Sequence, residues 1–177
     1  MKLSELESNI KNKKSFLCLG LDTDINKIPK HLLDSSDPVF EFNKALIDEL
    51  NKKIVAVKLN TAFYESRGAV GWTSMEKTIN YLSEFYPNLF TIADAKRGDI
   101  GNTSKMYAKA FFENLNFDSI TLSPYMGMDT VSEFLAYDEK YPILLALTSN
   151  QGANDFQTPN NLYETVITKS MNIEGAK

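Results

Sequence analysis

Short apolar runs alternate with stretches of helical spacing along the 177-residue chain. That alternation argues for an α/β fold with a parallel sheet and helical crossovers. Each apolar run also ends C-terminally in polar residues: Asp22, Lys58 with Asn60, Asp94 with Lys96, Ser123, and Thr148 with Ser149. A (β/α)8 TIM barrel keeps its site at that end of every strand, whereas an open doubly wound sheet places ligands at one switch point. Composition is ordinary globular usage, 43% hydrophobic and 24% charged. The predicted fold is therefore a (β/α)8 barrel.

The elements follow in order. The first fifteen residues, MKLSELESNIKNKKS, are polar with helical spacing and lack the apolar core of a signal peptide. Phe16 to Asp22 reads as a buried strand closed by Gly and Asp. Asp37 and Pro38 open a helix that runs to Lys52, with Asp at the cap and Pro in the first turn. Ile54 to Leu59 is the second strand, continuing to Asn60. Met75, Ile79, Leu82 and Phe85 give a helix over Ser74 to Phe85. Leu89 to Ala93 is a third strand running into Asp94 and Lys96. Thr103 to Leu115 is helical, Ser119 to Leu122 a fourth strand, and Asp129 to Tyr137 a helix. Pro142 to Thr148 is the fifth strand and Leu162 to Met171 the next helix. A barrel typically takes ~250 residues. The expectation is thus one barrel domain over 1–177, holding about the first five β/α units and truncated at its C-terminal end.

Charge and residue types exclude several classes of function. Nineteen basic residues against 23 acidic give a net charge of −4, without the basic footprint that phosphate-backbone binding requires. No stretch approaches the ~20 apolar residues of a membrane span, so no nucleic acid and no membrane are expected and the protein reads as cytoplasmic. Cys18 is the single cysteine and His31 the single histidine. A disulfide framework, a Cys- or His-clustered metal site and a Ser-His-Asp triad are thereby excluded. Cys18 is expected to be a small buried strand residue, His31 solvated, and Trp72 with Phe63 and Tyr64 part of the packing. Chemistry must run on Lys, Asp, Glu, Ser, Thr and Tyr.

That chemistry is concentrated in Asp94-Ala95-Lys96-Arg97-Gly98-Asp99. Strand residues i and i+2 face the same side, so Asp94 and Lys96 project together into the barrel mouth. Lys58 sits at the equivalent depth of the preceding strand, and Asp99 follows in the loop to the next helix. Lys58, Asp94, Lys96 and Asp99 form an alternating Lys-Asp-Lys-Asp array that can keep ammonium and carboxylate ionised side by side. Lys96 offers a general acid beside the fixed negative charge of Asp94. A carbanion left by loss of CO2 would lie within its reach.

The segments Leu19–Asp22 (LGLD), Val57–Glu65 (VKLNTAFYE), Asp94–Thr103 (DAKRGDIGNT), Ser123–Gly127 (SPYMG) and Thr148–Gly152 (TSNQG) resemble, in order, orotidine 5′-phosphate decarboxylase. The pattern is nearest the longer bacterial subgroup, which shares features with the protozoan enzymes. The resemblance implies conversion of orotidine 5′-monophosphate to uridine 5′-monophosphate in pyrimidine biosynthesis, with no metal and no organic cofactor. It implies Lys96 as proton donor to C6 of the pyrimidine and Asp94 as the carboxylate facing the leaving CO2. Lys58 would bridge Asp94 and the ribose hydroxyls, Asp22 would also meet the ribose, and Asn60 would line the same pocket. Asp99, Ile100 and Thr103 would reach across a homodimer interface, and Ser149 with Thr148 would hydrogen-bond the pyrimidine ring. The family also grips the substrate phosphate with a Gln-bearing loop and an Arg from late strands, which these 177 residues lack. Two alternatives stand beside the decarboxylase: a catalytically silent fragment or binding module of the family, and a magnesium-dependent sugar-phosphate enzyme of the same suprafamily. The latter characteristically carries an acidic metal ligand where Lys58 stands, and a cation there would repel magnesium.

Overall fold

A computed structural model describes residues 1–173. Five strands form one sheet: β1 (Leu17–Gly20), β2 (Ile54–Asn60), β3 (Phe90–Arg97), β4 (Ser119–Leu122) and β5 (Tyr141–Leu144). Every neighbouring pair is parallel, and spatial order follows chain order from β1 to β5. A doubly wound sheet would reverse its strand order at a switch point. The uninterrupted order is that of successive β/α units of a TIM barrel, five of which are present here. The expectation of one domain over 1–177 extends beyond the described residues.

The helices are α1 (Leu3–Lys13), α2 (Pro38–Leu50), α3 (Thr61–Glu65), α4 (Ala69–Phe85), α5 (Gly101–Ala108), α6 (Asp129–Leu135), α7 (Ala153–Phe156) and α8 (Leu162–Met171). Helix α2 starts as its sequence requires, with Pro38 in the first turn and the Asp37 carboxylate accepting the Phe40 N–H at 3.2 Å. Helix α5 continues through a π-helical turn over Lys109–Asn114, whose Phe111 and Phe112 are buried. Ile47 of α2, Met75, Ile79 and Leu82 of α4, and Val131 and Phe134 of α6 join Ile54, Val57, Leu59, Ile120 and Leu122 of the sheet in one apolar cluster. Burying each Leu or Ile side chain contributes about 1.5–3 kcal/mol. This cluster holds the sheet against its helices. Among the described residues no helix is long and apolar enough to cross a membrane.

A buried polar network locks the exit of β1 to three helices. The Thr23 hydroxyl donates to Asn43 Oδ1 at 2.6 Å, and Asn43 Nδ2 donates to the Tyr64 hydroxyl and to Thr78 Oγ1. Tyr64 in turn donates to the Leu21 carbonyl at 2.9 Å. Leu21 and Thr23, the two residues flanking Asp22, are thereby fixed. Burial pushes the Tyr64 phenol well above its ordinary range.

Several expectations are corrected. β1 spans Leu17–Gly20 rather than Phe16–Asp22, and Leu17, Cys18 and Gly20 are exposed rather than buried. Among the described residues β1 pairs with β2 alone, and Cys18 is an exposed thiol rather than a core residue. Helix α3 was not foreseen; Asn60 starts it by accepting the Ala62 N–H at 3.3 Å. Gly68, at φ +63°, then turns the chain into α4, which begins five residues ahead of the predicted Ser74. β5 ends at Leu144 rather than Thr148.

Candidate active site

Asp94 and Lys96 meet at the C-terminal end of β3, with Lys96 Nζ 2.7 Å from Asp94 Oδ1. The last three residues of β2 place Lys58 and Asn60 beside them, with Asn60 in register with Asp94. Asp22 follows β1, between the two anchored residues Leu21 and Thr23. The result is an unbroken chain of charges at the C-terminal ends of three adjacent strands. Lys58 Nζ lies 3.5 Å from Asp22 Oδ1 and 3.2 Å from Asp94 Oδ2, and Lys96 Nζ lies 2.7 Å from Asp94 Oδ1. Asn60 Nδ2 donates to Asp22 Oδ2 at 3.5 Å.

Asp94 is the centre of this chain. Its side chain is only 12% exposed, whereas Lys96 is half exposed. Burial alone would raise the Asp94 pKa. Hydrogen bonds from Lys96, Thr121 and Lys58, with the Lys58 charge, outweigh burial and hold the carboxyl below its usual range. Lys58 answers in kind: burial would lower it, but Asp94 and Asp22 hold its ammonium above the ordinary value. A carboxylate is thus kept ionised at low exposure with an ammonium on each oxygen.

Lys96 sits on an irregular backbone. The β3–β4 register shifts between Ala93 and Arg97, and Lys96 has φ +49°. A bulge at a strand end re-aims a side chain, and a non-glycine residue at positive φ persists only when its surroundings hold it. Arg97 supplies one restraint, pairing its guanidinium with Glu65 at the end of α3 and lying over the Tyr107 and Phe111 rings.

The chain matches the family model for Orotidine 5'-phosphate decarboxylase / HUMPS family over residues 15–175. It belongs to that family. Curated relatives named orotidine 5'-phosphate decarboxylase include those of Flavobacterium johnsoniae, 60% identical over 174 residues, and Bacteroides fragilis (strain YCH46), 59% identical over 175. Each match covers 96% of this chain and 64% of the relative, so the chain spans under two thirds of their length. Among solved structures, the Leishmania donovani OMP decarboxylase superposes with a TM-score of 0.83 at 34% identity, covering 97% of this chain and 66% of that one.

The family's other motif residues are distributed differently. Asp99 stays outside the charge chain: its carboxylate accepts the Ile100 N–H at 2.7 Å, and its carbonyl accepts the Ser104 hydroxyl. Asp99 therefore secures the entry to α5, while Ile100 and Thr103 point outward and are exposed. Thr148 belongs to a separate polar knot. Its N–H donates to Gln157 Oε1 at 2.7 Å and its hydroxyl to Asn150 Oδ1 at 2.6 Å. It lines a largely apolar groove of about 930 Å³ between the β4 and β5 ends and α8, with Tyr125, Met128 and Val166 among its walls. Ser149 is exposed beside it.

Sequence reasoning missed Thr121. Its hydroxyl donates to Asp94 Oδ1 at 3.0 Å and accepts the Lys96 N–H at 2.9 Å. The available signal was a hydroxyl in the short buried strand SITL, two residues before Ser123 and so on the same face. Glu65, the partner of Arg97, carried no signal beyond its place in the VKLNTAFYE segment.

Proposed function

We propose that this chain decarboxylates orotidine 5'-monophosphate to uridine 5'-monophosphate, a step of pyrimidine biosynthesis. The observation that carries the reading is Asp94, ionised at low exposure between Lys58 and Lys96. The substrate's C6 carboxylate is set against Asp94. The C6–CO2 bond breaks, CO2 leaves, and the electron pair stays on C6. Lys96 Nζ, 2.7 Å from Asp94, lies where it can stabilise that charge and deliver the proton that completes the product. Electrostatic stabilisation of the carbanion is the larger contribution; repulsion by Asp94 in the ground state is the weaker one.

In this reading Lys58, Asp22 and Asn60 hold the ribose, and Thr148 with Ser149 meets the pyrimidine edge. Asp99, Ile100 and Thr103 serve a neighbouring copy in a homodimer, consistent with the exposure of Ile100 and Thr103 and with Asp99 standing apart from its own chain's array. The protein works in the cytoplasm and needs no cofactor, since side chains supply both proton and charge. The Lys58 ammonium, set between Asp22 and Asp94, favours this chemistry over one that seats magnesium on those carboxylates.

The test is the ultraviolet absorbance change on adding orotidine 5'-monophosphate to the purified protein and to Lys96→Ala. Turnover by the parent, lowered about 10²–10⁴-fold or more in Lys96→Ala, supports the assignment. Absence of turnover in a folded parent overturns decarboxylation by this chain, and full turnover in Lys96→Ala overturns the proton donor.

A further inference from the structure

Lys96 carries two demands that its own backbone does not meet. Its φ of +49° is a conformation that L-residues rarely adopt, and the register shift between Ala93 and Arg97 takes its N–H out of the regular β3–β4 ladder. Even at a partly buried position, an N–H taken out of its ladder and left without a partner is costly. Here the partner is a side chain, Thr121 Oγ1 of β4, at 2.9 Å. A hydroxyl that accepts one hydrogen bond still has its proton to donate, and Thr121 gives it to Asp94 Oδ1 at 3.0 Å. That same oxygen accepts the Lys96 ammonium at 2.7 Å. The loop closes on itself: Lys96 N–H to Thr121, Thr121 to Asp94, and Asp94 back to Lys96 Nζ.

We propose that Thr121 is a positioning residue for the proposed decarboxylation, a clamp that sets the Lys96 ammonium and the Asp94 carboxylate relative to each other through one hydroxyl. The inference rests on the decarboxylase reading for its catalytic consequence, but not for the clamp itself. Three features make the hydroxyl suited to the task. It stands on a short strand buried at all four positions. Thr121 itself is only 7% exposed, so its χ1 is confined by packing as well as by β-branching. One residue further along the bulge, the Ser123 N–H donates to the Arg97 carbonyl at 2.7 Å. Lys96 and the residue after it are therefore held by Thr121 of β4 and by Ser123 just past its end.

The experiment compares the parent with Thr121→Val, which keeps the shape and removes both hydrogen bonds, and Thr121→Ser, which restores the hydroxyl. Three quantities are read: kcat and KM for orotidine 5'-monophosphate, the hydrogen–deuterium exchange of the Lys96 amide, and the NMR titration of the Asp94 carboxyl. The clamp predicts that Thr121→Val lowers kcat about 10- to 100-fold with KM changed by less than about threefold. It also predicts Lys96 amide exchange faster by about tenfold, an Asp94 midpoint moved upward, and recovery of all three in Thr121→Ser. Unchanged exchange in Thr121→Val overturns the clamp, as does a Thr121→Ser variant as impaired as the Val one, because restoring the hydroxyl then restores nothing. If the folded parent turns over no substrate, the decarboxylase reading fails on its own. Amide exchange and the Asp94 titration then decide the clamp in the same two directions.

Discussion

Lys58 Nζ lies 3.2 Å from Asp94 Oδ2 and leaves Oδ1 to Lys96 and Thr121. Each carboxylate oxygen thus has its own ammonium, and rotation about the Asp94 side chain would break contacts on both sides. Lys58 also reaches Asp22 at 3.5 Å, so this one cation carries charge complementarity from the β1 exit to the centre of the site.

Removing that cation is therefore expected to act on Asp94 as well as on ligand binding. Lys58→Ala should lower kcat/KM about 10²-fold or more while circular dichroism reports a retained fold. Asp94, having lost one hydrogen bond and one favourable charge, should titrate at higher pH than in the parent. An NMR titration of the Asp94 carboxyl checks the second part; an unmoved midpoint would show that Lys58 does not hold it.

The depressed Asp94 pKa also makes stability depend on pH in a definite direction. A carboxyl whose folded value lies below its unfolded value stabilises the fold above the unfolded value, and loses that contribution as pH falls through the folded one. Parent and Asp94→Asn should accordingly differ by a constant amount above pH ~5. The parent's relative stability should then decline as pH drops below about 3.9, the ordinary Asp value. Urea unfolding at pH 7, 5, 4 and 3 measures this. A difference that stays flat across the series would contradict the depressed value.

The polar network behind Asp22 gives a prediction about stability. Tyr64→Phe deletes the hydroxyl that donates to the Leu21 carbonyl and accepts from Asn43. Both partners are buried, so the cost should be about 1–3 kcal/mol, read as a lower urea midpoint with unchanged slope. Because Leu21 precedes Asp22, KM for orotidine 5'-monophosphate should rise more than kcat falls. A variant as stable as the parent would mean that solvent replaces the missing hydroxyl.

What the sequence made legible follows from strand geometry. Proximity along β3 put Asp94 and Lys96 together, and the polar ends of β1 and β2 placed Asp22, Lys58 and Asn60 at the same rim. The rest depends on departures from regularity. The Thr121 contacts arise from a register shift in the bulge, which a period of two does not anticipate. Asp99 turns from the array because the chain leaves β3 at Arg97 and enters α5 at Gly101, where its carboxylate takes a backbone N–H instead. Thr148 sits in a loop rather than at a strand end, because β5 stops at Leu144 and the Gln157 side chain captures the Thr148 N–H. Cys18 is exposed because β1 pairs only with β2 among the described residues, which an apolar run does not reveal.

Gly98 tests how tightly the bulge is held. A Cβ on Gly98 would stand 2.4 Å from the Ser123 carbonyl oxygen, and the contact is with backbone that no side-chain rotation relieves. Ser123 is the residue whose N–H grips the Arg97 carbonyl. Gly98→Ala must therefore push β4 away from the segment that aims Lys96, or shift that segment itself. Overpacking of this kind costs typically about 1–3 kcal/mol, which thermal or urea unfolding will register. The displacement should also cost activity beyond the stability loss, because Lys96, the proposed proton donor two residues earlier, shares the bulge; misplacement by about 1 Å can cost 10²-fold in rate. The discriminating measurement is kcat well below the unfolding range. A Gly98→Ala protein that is less stable yet turns over at the parental rate would show that Lys96 is aimed by its side-chain contacts alone, independently of the β3–β4 backbone.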